Sequence, residues 1–142
     1  MTRTIGSAMG ELPAVHPLFE GPSSLANWER RLLGIQDTSG YAREVVLTVR
    51  GDAVLSARTV SRLDDPALEV IRKLGNRPLA QLLFDDPRWM RGSAPIPLIE
   101  LATRRIGRTC LWRAARLNGS RTESRILVSE FFESSLPAQP AD

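Results

Sequence analysis

The sequence has very few of the residues on which the commonest enzyme chemistries depend. Cys110 is its only cysteine, His16 its only histidine and Lys73 its only lysine. A single cysteine excludes an intramolecular disulfide and any multi-cysteine metal site. A single histidine beside Pro17, with no partner at metal-ligand or triad spacing, removes most of the support for a zinc site or for Ser-His-Asp chemistry. We therefore expect Cys110 and His16 to be structural residues, and we expect no metal.

Long apolar runs are absent as well. No window approaches the roughly 18 uninterrupted apolar residues of a membrane-spanning helix, and the start of the chain lacks the apolar core of a secretory signal. These absences predict a cytoplasmic protein without membrane insertion. With 142 residues, of which 42% are hydrophobic, the chain is long enough for one domain with a buried core. We expect a monomer.

Positive charge is carried almost entirely by arginine. The formal net charge is +3 and the isoelectric point is near 10.0, a balance that favours anionic partners without naming them. The densest basic region extends from Arg104 to Arg125, where Trp112 is the interleaved aromatic residue. Because this region has few aromatics and no recognised motif, we do not predict nucleic-acid binding. A solvated basic face and the general attraction of a small dianion both remain open.

Strand patterns dominate the rest of the chain. Residues 41–50 and 53–60 are rich in valine and leucine and are joined at Gly51-Asp52, which predicts a β-hairpin with a two-residue loop. Further strand-like runs are residues 96–106, 110–117 and 124–133, with a turn at Asn118-Gly119 between the last two. In residues 1–35, by contrast, Pro13, Pro17 and Pro22 are expected to break any long regular element.

Two short helices are predicted between the hairpin and the later strands. Asp64 or Asp65 fits an N-cap, Pro66 fits the first helical position, and Gly75 fits the end of the first helix. The second helix is expected to start with Pro78 and to end near residues 85–87. The outline is α+β, an antiparallel sheet with helices inserted as a block.

Two charged residues fall on apolar strand faces. Successive strand residues point to opposite sides of a sheet, so Arg43 and Glu130 each share a face with apolar neighbours on their strands. An unpaired buried charge is strongly unfavourable. Arg43 and Glu130 therefore indicate a ligand site, unless they form a structural ion pair with each other or their face is exposed to solvent. Spacing alone does not separate these alternatives.

The start of the second helix supplies a third polar group. The backbone N–H of Leu79 belongs to the first turn, where amides lack intrahelical partners and the helix dipole is positive. Such an amide suits a carboxylate. A cap from the Asn76 side chain or from water is the alternative.

Four segments, in this order and at this spacing, resemble chorismate pyruvate-lyases. They are residues 43–47 (REVVL), 57–60 (ARTV), 73–79 (KLGNRPL, followed by LLF) and 129–132 (SEFF). The resemblance covers residues 41–137 well. It implies a single chorismate lyase-like domain, with a sheet of about six strands and helical flaps that close over a buried ligand. We expect residues 1–136 to form this domain and residues 137–142 to be a loosely ordered tail.

The resemblance also implies roles for individual residues. Arg43 and the backbone amide of Leu79 correspond to the groups that hold the ligand carboxylate, and Glu130 to a glutamate that faces the oxygen at the other end of the ring. Arg58 is expected to help with a second carboxylate. Met1 matches a family motif whose side chain helps to cover the ligand, and the helical segment that precedes this motif in the family is expected to be missing.

The implied activity is that of a carbon–oxygen lyase. Chorismate would be split into 4-hydroxybenzoate and pyruvate, the first step of ubiquinone-type biosynthesis, and these small molecules would be the partners. The ring becomes aromatic as the enolpyruvyl ether leaves, so no cofactor is expected. Two other classes remain. One is a non-catalytic aromatic-acid-binding module, since effector domains of GntR-type regulators share the fold, and the other is a structural protein in which Arg43 pairs with Glu130.

Overall fold

Alternating valine-rich and leucine-rich segments form the strands of an antiparallel sheet. A computed structural model of the chain describes residues 13–92, 94–115, 117–119 and 121–133. In chain order the elements are β1 (Ala14–Ser24), α1 (Asn27–Leu33), β2 (Ser39–Val49), β3 (Asp52–Ser61), α2 (Leu68–Ile71), α3 (Leu79–Asp85), β4 (Trp89–Arg91), β5 (Ile96–Glu100), β6 (Arg105–Ala114) and β7 (Ser124–Phe132). One 3-10 turn, Leu117–Gly119, precedes β7. The predicted α+β class is confirmed.

The sheet has seven strands within the described residues, where about six were expected. The strand order is β1-β2-β3-β7-β6-β4, and β5 pairs with β6 as well. Every pairing is antiparallel. The centre of the sheet is therefore built from β2, β3 and β7, the strands that carry Arg43 and Glu130.

The edge strand β1 corrects the expectation that prolines break regular structure throughout residues 1–35. β1 is 11 residues long and contains both Pro17 and Pro22. Among the described strands, β1 pairs with β2 alone. A proline in such an edge strand can lie with its nitrogen, which has no N–H to donate, on the side away from the sheet. The register nevertheless shifts between Pro17 and Phe19. Pro13 lies just before the strand, and residues 1–12 lie outside the described part of the chain.

The predicted hairpin is present, with its loop one residue earlier than expected. Val49 pairs with Asp52, so the loop consists of Arg50 and Gly51, at φ 56° and φ 84°. Two positive φ values are typical of the hairpin turn whose twist matches that of the strands.

The single strand predicted over residues 96–106 is in fact two strands, β5 and β6. They are separated by a turn in which Arg104 has φ 58°.

The helical block is shorter than the sequence pattern predicts. α2 covers one turn rather than residues 66–74, although Asp65 does act as a cap: its Oδ1 accepts the Ala67 N–H at 2.8 Å. Pro78 is the N-cap of α3 rather than its first helical residue. No helix in the described ranges has the length and apolar character needed to span a membrane.

The two faces of the sheet have separate cores. On one face, Leu68 of α2 and Leu83 of α3 pack with buried side chains of the sheet, which include Tyr41, Cys110, Trp112 and Val128. On the other face, α1 and its flanks cover Ala42, Val60 and Leu127. The burial of Cys110, which is 5% exposed, confirms its structural interpretation. Since neighbouring residues on a strand point to different cores, the face of a polar residue decides which helices can enclose it.

Gly107 of β6 permits the close approach of β7, and replacing it with alanine is expected to destabilise the fold. A Cβ at this position would lie 2.1 Å from the Glu130 carbonyl oxygen and 2.7 Å from Phe131 Cδ1. Overpacking against backbone in a central strand costs about 3 kcal/mol in the free energy of unfolding, measurable by urea denaturation. A matched control is Gly51→Ala, which meets nothing within 4 Å but must hold φ 84°, for about 1 kcal/mol. Equal losses in the two variants would contradict the close-approach argument.

Candidate active site

Arg43 and Glu130 lie on the same face of the sheet and line one cavity beneath α3. Cross-strand pairing places them there: Arg43 of β2 pairs with Thr59 of β3, and Thr59 pairs with Val128 of β7, two residues before Glu130. Both charged residues are 3% exposed. The remaining lining is mostly apolar and comprises Val15, Val45, Leu47, Ala57, Thr59, Pro78, Leu79, Ala80, Leu83 and Val128. The structure thus brings Arg43, Leu79 and Glu130 together.

The Arg43 guanidinium is buried and only partly satisfied. Its Nη2 donates to the carbonyl oxygens of Gly75, at 3.2 Å, and Arg77, at 3.0 Å. Its Nε lies 4.0 Å from Glu20 Oε1 and has no hydrogen-bond partner among the described residues. Burial lowers the pKa of Arg43 from its ordinary value, while the Glu20 carboxylate opposes this change. A guanidinium still remains protonated. An anion in the cavity could therefore bind a desolvated cation and accept a hydrogen bond from its Nε–H.

Glu20 is held in place by Tyr41. The Tyr41 hydroxyl donates to Glu20 Oε2 at 2.5 Å, and burial together with this carboxylate raises the pKa of Tyr41. Glu20 is therefore oriented from β1 towards Arg43 on β2. It was not singled out in the sequence because β1 was not recognised as a strand.

Glu130 is a buried carboxyl group in a largely apolar setting, with Arg108 as a hydrogen-bonded neighbour and Arg91 as a further cation that acts on it. Burial raises the pKa of Glu130, and the hydrogen bond and charge of Arg108 work in the opposite direction. Arg108 Nε lies 3.1 Å from Glu130 Oε1. Among the described residues, the partners of Arg43 and of Glu130 are different groups, so the two do not form the structural ion pair that the sequence left open.

Leu79 is the first residue of α3, and none of the side chains that the structure describes caps this helix end. The Asn76 cap considered from the sequence is therefore not formed. Leu79 is 7% exposed and lines the same cavity as Arg43. The arrangement agrees with a backbone amide available near the guanidinium.

The cavity between α3 and the sheet is small. Its volume is about 30 Å³, which is room for a water molecule or two. An aromatic acid is several times larger, so the cavity must widen to admit one. Met1, which was expected to help cover the ligand, lies outside the described residues.

The structure does not bring Arg58 to this cavity. Its neighbour Thr59 lines the cavity, and the next residue along a strand points to the other face. On that face Arg58 binds Glu29 at 2.8 Å, Glu44 at 2.6 Å and the Ser24 carbonyl oxygen at 2.9 Å. Two carboxylates thus already occupy the guanidinium that was expected to hold a second ligand carboxylate.

Arg58→Met is therefore expected to weaken folding while leaving ligand affinity unchanged. Glu29 is 2% exposed and would lose its cationic partner. The cost in unfolding free energy is roughly 2 to 3 kcal/mol, measured by urea denaturation. The control Arg62→Met breaks an exposed pair with Asp64, which contributes about 0.5 kcal/mol or less. A drop in affinity for 4-hydroxybenzoate without loss of stability would instead place Arg58 in the site.

Three arginines of the arginine-rich region are paired with acidic residues away from the cavity. Arg105 binds Glu100 and Glu133, while Arg113 and Arg125 share Glu123. Arg108 is different, because its carboxylate partner lines the cavity. Sequence reasoning missed Arg108, although a hairpin register of β6 on β7 sets it directly opposite Glu130. The arginine pattern alone could not distinguish it from its neighbours.

No cluster of three or more histidine, cysteine, aspartate or glutamate side chains suited to a metal ion occurs in the described part of the chain. His16 is exposed and its Nε2 lies 2.9 Å from Thr48 Oγ1 on the neighbouring strand. A structural role for this histidine agrees with that contact. The polar groups at the cavity thus include a guanidinium, a carboxyl group, the Thr59 hydroxyl and a helix-terminal amide.

Comparison with known proteins agrees with the fold and identifies a family. A protein from Pseudomonas syringae pv. syringae (strain B728a), named probable chorismate pyruvate-lyase, is 36% identical over 132 residues, covering 88% of this chain and 68% of that protein. Crystal structures with the same fold include the effector domain of PhnF from Mycobacterium smegmatis, at TM-score 0.53 and 11% identity, covering 92% and 86% of the two chains.

A second solved structure is the ligand-binding domain of a protein classed with the GntR-family transcriptional regulators, from Bordetella bronchiseptica. It has TM-score 0.50 and 9% identity and covers 87% of this chain and 85% of its own. At such identities these two structures bear on fold alone. The sequence profile described as Chorismate lyase, in contrast, matches residues 1–138. The chain therefore belongs to the chorismate lyase family.

Proposed function

We propose that the protein is a chorismate pyruvate-lyase, which eliminates pyruvate from chorismate and leaves 4-hydroxybenzoate. One observation carries the proposal: a buried guanidinium and a desolvated carboxyl group line the same mostly apolar cavity. Such a site suits a small aromatic acid, whose ring packs against apolar side chains while its polar ends meet the two charged groups. The names of the family and of the similar Pseudomonas protein support the same reaction.

The chemistry requires little of the protein. The ether bond between C3 of the ring and the enolpyruvyl oxygen breaks, and C4 loses a proton whose bonding electrons complete the aromatic ring. The departing enolpyruvate gains a proton and becomes pyruvate, so the atoms and the charge balance. Because aromatisation drives the step, we propose that neither a metal nor an organic cofactor takes part.

Arg43 and the Leu79 amide are proposed to hold the ring carboxylate. Arg43 Nε is buried without a hydrogen-bond partner among the described residues, and charge-assisted hydrogen bonds are the strong ones in such surroundings. Closure of α3 would exclude water and strengthen these contacts further. Met1 is proposed to cover the ligand from the N-terminal side.

Glu130 is proposed to act as a general acid at the opposite end of the ring. Burial raises its pKa, which favours the protonated form that can donate to the leaving ether oxygen. Glu130 and Arg43 are thus both proposed as catalytic residues that contact the substrate, Glu130 as the acid and Arg43 as the group that binds the ring carboxylate. A cytoplasmic monomer that supplies 4-hydroxybenzoate to ubiquinone-type biosynthesis completes the proposal.

The direct test is to mix the purified protein with chorismate and to follow 4-hydroxybenzoate by its absorbance, with pyruvate measured independently. Equal amounts of the two products are expected. Binding of 4-hydroxybenzoate without any turnover of chorismate would instead favour the aromatic-acid-binding module, the alternative that the sequence left open. Neither binding nor turnover would contradict both functions.

A further inference from the structure

The residues placed at the cavity so far leave one charge of the substrate unmatched. If the proposed function is correct, chorismate enters with two carboxylates, one on the ring and one on the enolpyruvyl group. Arg43 can bind the ring carboxylate. Arg58 is on the opposite face of the sheet, bound to Glu29 and Glu44. A carboxylate enclosed without a counter-charge binds poorly, so the second one needs another cation on the α3 face.

Arg108 meets this requirement from β6. Its cross-strand partner is Glu130, and its Nε lies 3.1 Å from Glu130 Oε1. The side chain is 38% exposed, and its guanidinium lies 6.0 Å from the Phe132 ring centroid. It can therefore move without leaving a buried gap. The position is also chemically appropriate, because the enolpyruvyl group departs at the end of the ring where Glu130 is proposed to act.

The pairing of Arg108 with Glu130 depends on the charge of the carboxyl group. A neutral Glu130 still accepts a hydrogen bond but no longer neutralises the guanidinium, so the positive charge of Arg108 becomes available to a second anion. An incoming carboxylate at Arg108 would in turn favour the neutral form of Glu130, since a nearby negative charge disfavours ionisation. Substrate binding and the acid form of Glu130 thereby support each other.

A second arginine adds to the positive potential on this face. Arg91 of β4 pairs with Trp112 of β6, and its guanidinium lies 5.6 Å from the Trp112 ring centroid. It is farther along the sheet from Glu130 than Arg108 is, so it is expected to attract a dianion rather than to bind it. This addition leaves Arg108 as the residue in contact with Glu130.

We propose that Arg108 binds the enolpyruvyl carboxylate of chorismate and so distinguishes the dianionic substrate from the monoanionic product. The product keeps the ring carboxylate and lacks the group that Arg108 would hold. Arg108 is thus assigned to substrate specificity, whereas Arg43 contacts substrate and product alike. Once pyruvate departs, Arg108 is free to return to Glu130.

The test compares Arg108→Met and Arg108→Lys with the wild type, using initial rates with chorismate and competitive inhibition by 4-hydroxybenzoate. Arg108→Met is expected to raise KM for chorismate by about tenfold or more, the loss for a hydrogen bond to a charged group. The inhibition constant of 4-hydroxybenzoate should change less than about twofold, because the product makes no contact with Arg108. Arg108→Lys keeps the charge without the planar fork and should fall between.

Arg113→Met is the matched control, because it removes the same charge from the same strand but on the other face, where Arg113 binds Glu123. It should leave both constants unchanged. A parallel loss of substrate and product affinity in Arg108→Met, a fall in kcat alone, or no change would each overturn the subsite. A wild type that makes no 4-hydroxybenzoate contradicts the proposed function instead, and the subsite is then judged by the same comparison made with dissociation constants for chorismate and 4-hydroxybenzoate.

Discussion

Arg43→Met is expected to weaken binding of 4-hydroxybenzoate by roughly a hundredfold or more and to remove measurable turnover of chorismate. The guanidinium is 3% exposed, with its Nε free of hydrogen bonds among the described residues. A carboxylate that replaces water at such a group gains a charge-assisted bond of about 1.5 to 3 kcal/mol, and removal of the cation also leaves the bound carboxylate unpaired. Isothermal titration with 4-hydroxybenzoate measures the change.

Arg43 also bonds to the chain before α3, so stability must be followed in parallel. Arg43→Lys retains the charge and should recover part of the affinity, while Arg62→Met, at an exposed ion pair with Asp64, should have no effect. If Arg43→Met folds with a normal melting temperature and binds the product less than tenfold more weakly, a difference of about 1.4 kcal/mol, the proposed carboxylate role is wrong.

Glu130→Gln is expected to lower kcat by about a hundredfold to ten-thousandfold, the usual contribution of a general acid, with little change in the affinity for 4-hydroxybenzoate. Glutamine has nearly the same shape and can still accept the hydrogen bond from Arg108, but it has no acidic proton to give. Single-turnover rates with chorismate and equilibrium binding of the product separate the two effects. A variant as fast as the wild type would exclude Glu130 as the acid.

The dependence of kcat on pH follows from the same group. Burial raises the pKa of Glu130, and Arg108 opposes this rise, while Arg43 is the other charged group that lines its cavity. The active form is protonated, so kcat should fall as pH rises through the raised pKa. The part of fold stability that this group contributes is complete below the ordinary glutamate pKa and is lost over the same rise in pH. In Glu130→Gln the descending limb of the profile should be absent.

Period-two alternation identified Arg43 and Glu130 as charged residues on apolar strand faces, and the structure places both at one cavity. Arg43 and Glu130 are both flanked by apolar residues at every second position, and the pleat of a strand leaves no other way to place such a pattern. The start of a helix at Pro78-Leu79 could be predicted as well, because proline is favoured at helix starts. These signals depend only on residues that are close in the sequence, so they can be recognised without knowledge of the tertiary structure.

Features that depend on register or on position within the sheet were not predictable in this way. Arg58 was assigned to the ligand although strand pairing turns it to the α1 face, towards Glu44. Arg108 becomes notable only once β6 is aligned with β7. Pro17 and Pro22 argue against a strand unless the strand lies at an edge, and no local pattern reveals which strand will lie there.

The bonds from Arg43 to the carbonyl oxygens of Gly75 and Arg77 give one guanidinium two duties. These carbonyls belong to the segment that enters α3, and the cavity that Arg43 lines must widen before a benzoate can enter. A carboxylate bound to Arg43 would thus be held by the same group that fastens this segment to the sheet. The dissociation rate of a ligand would then depend on how often the bonds from Arg43 to these carbonyls break. Two ligands of equal affinity need not dissociate at equal rates.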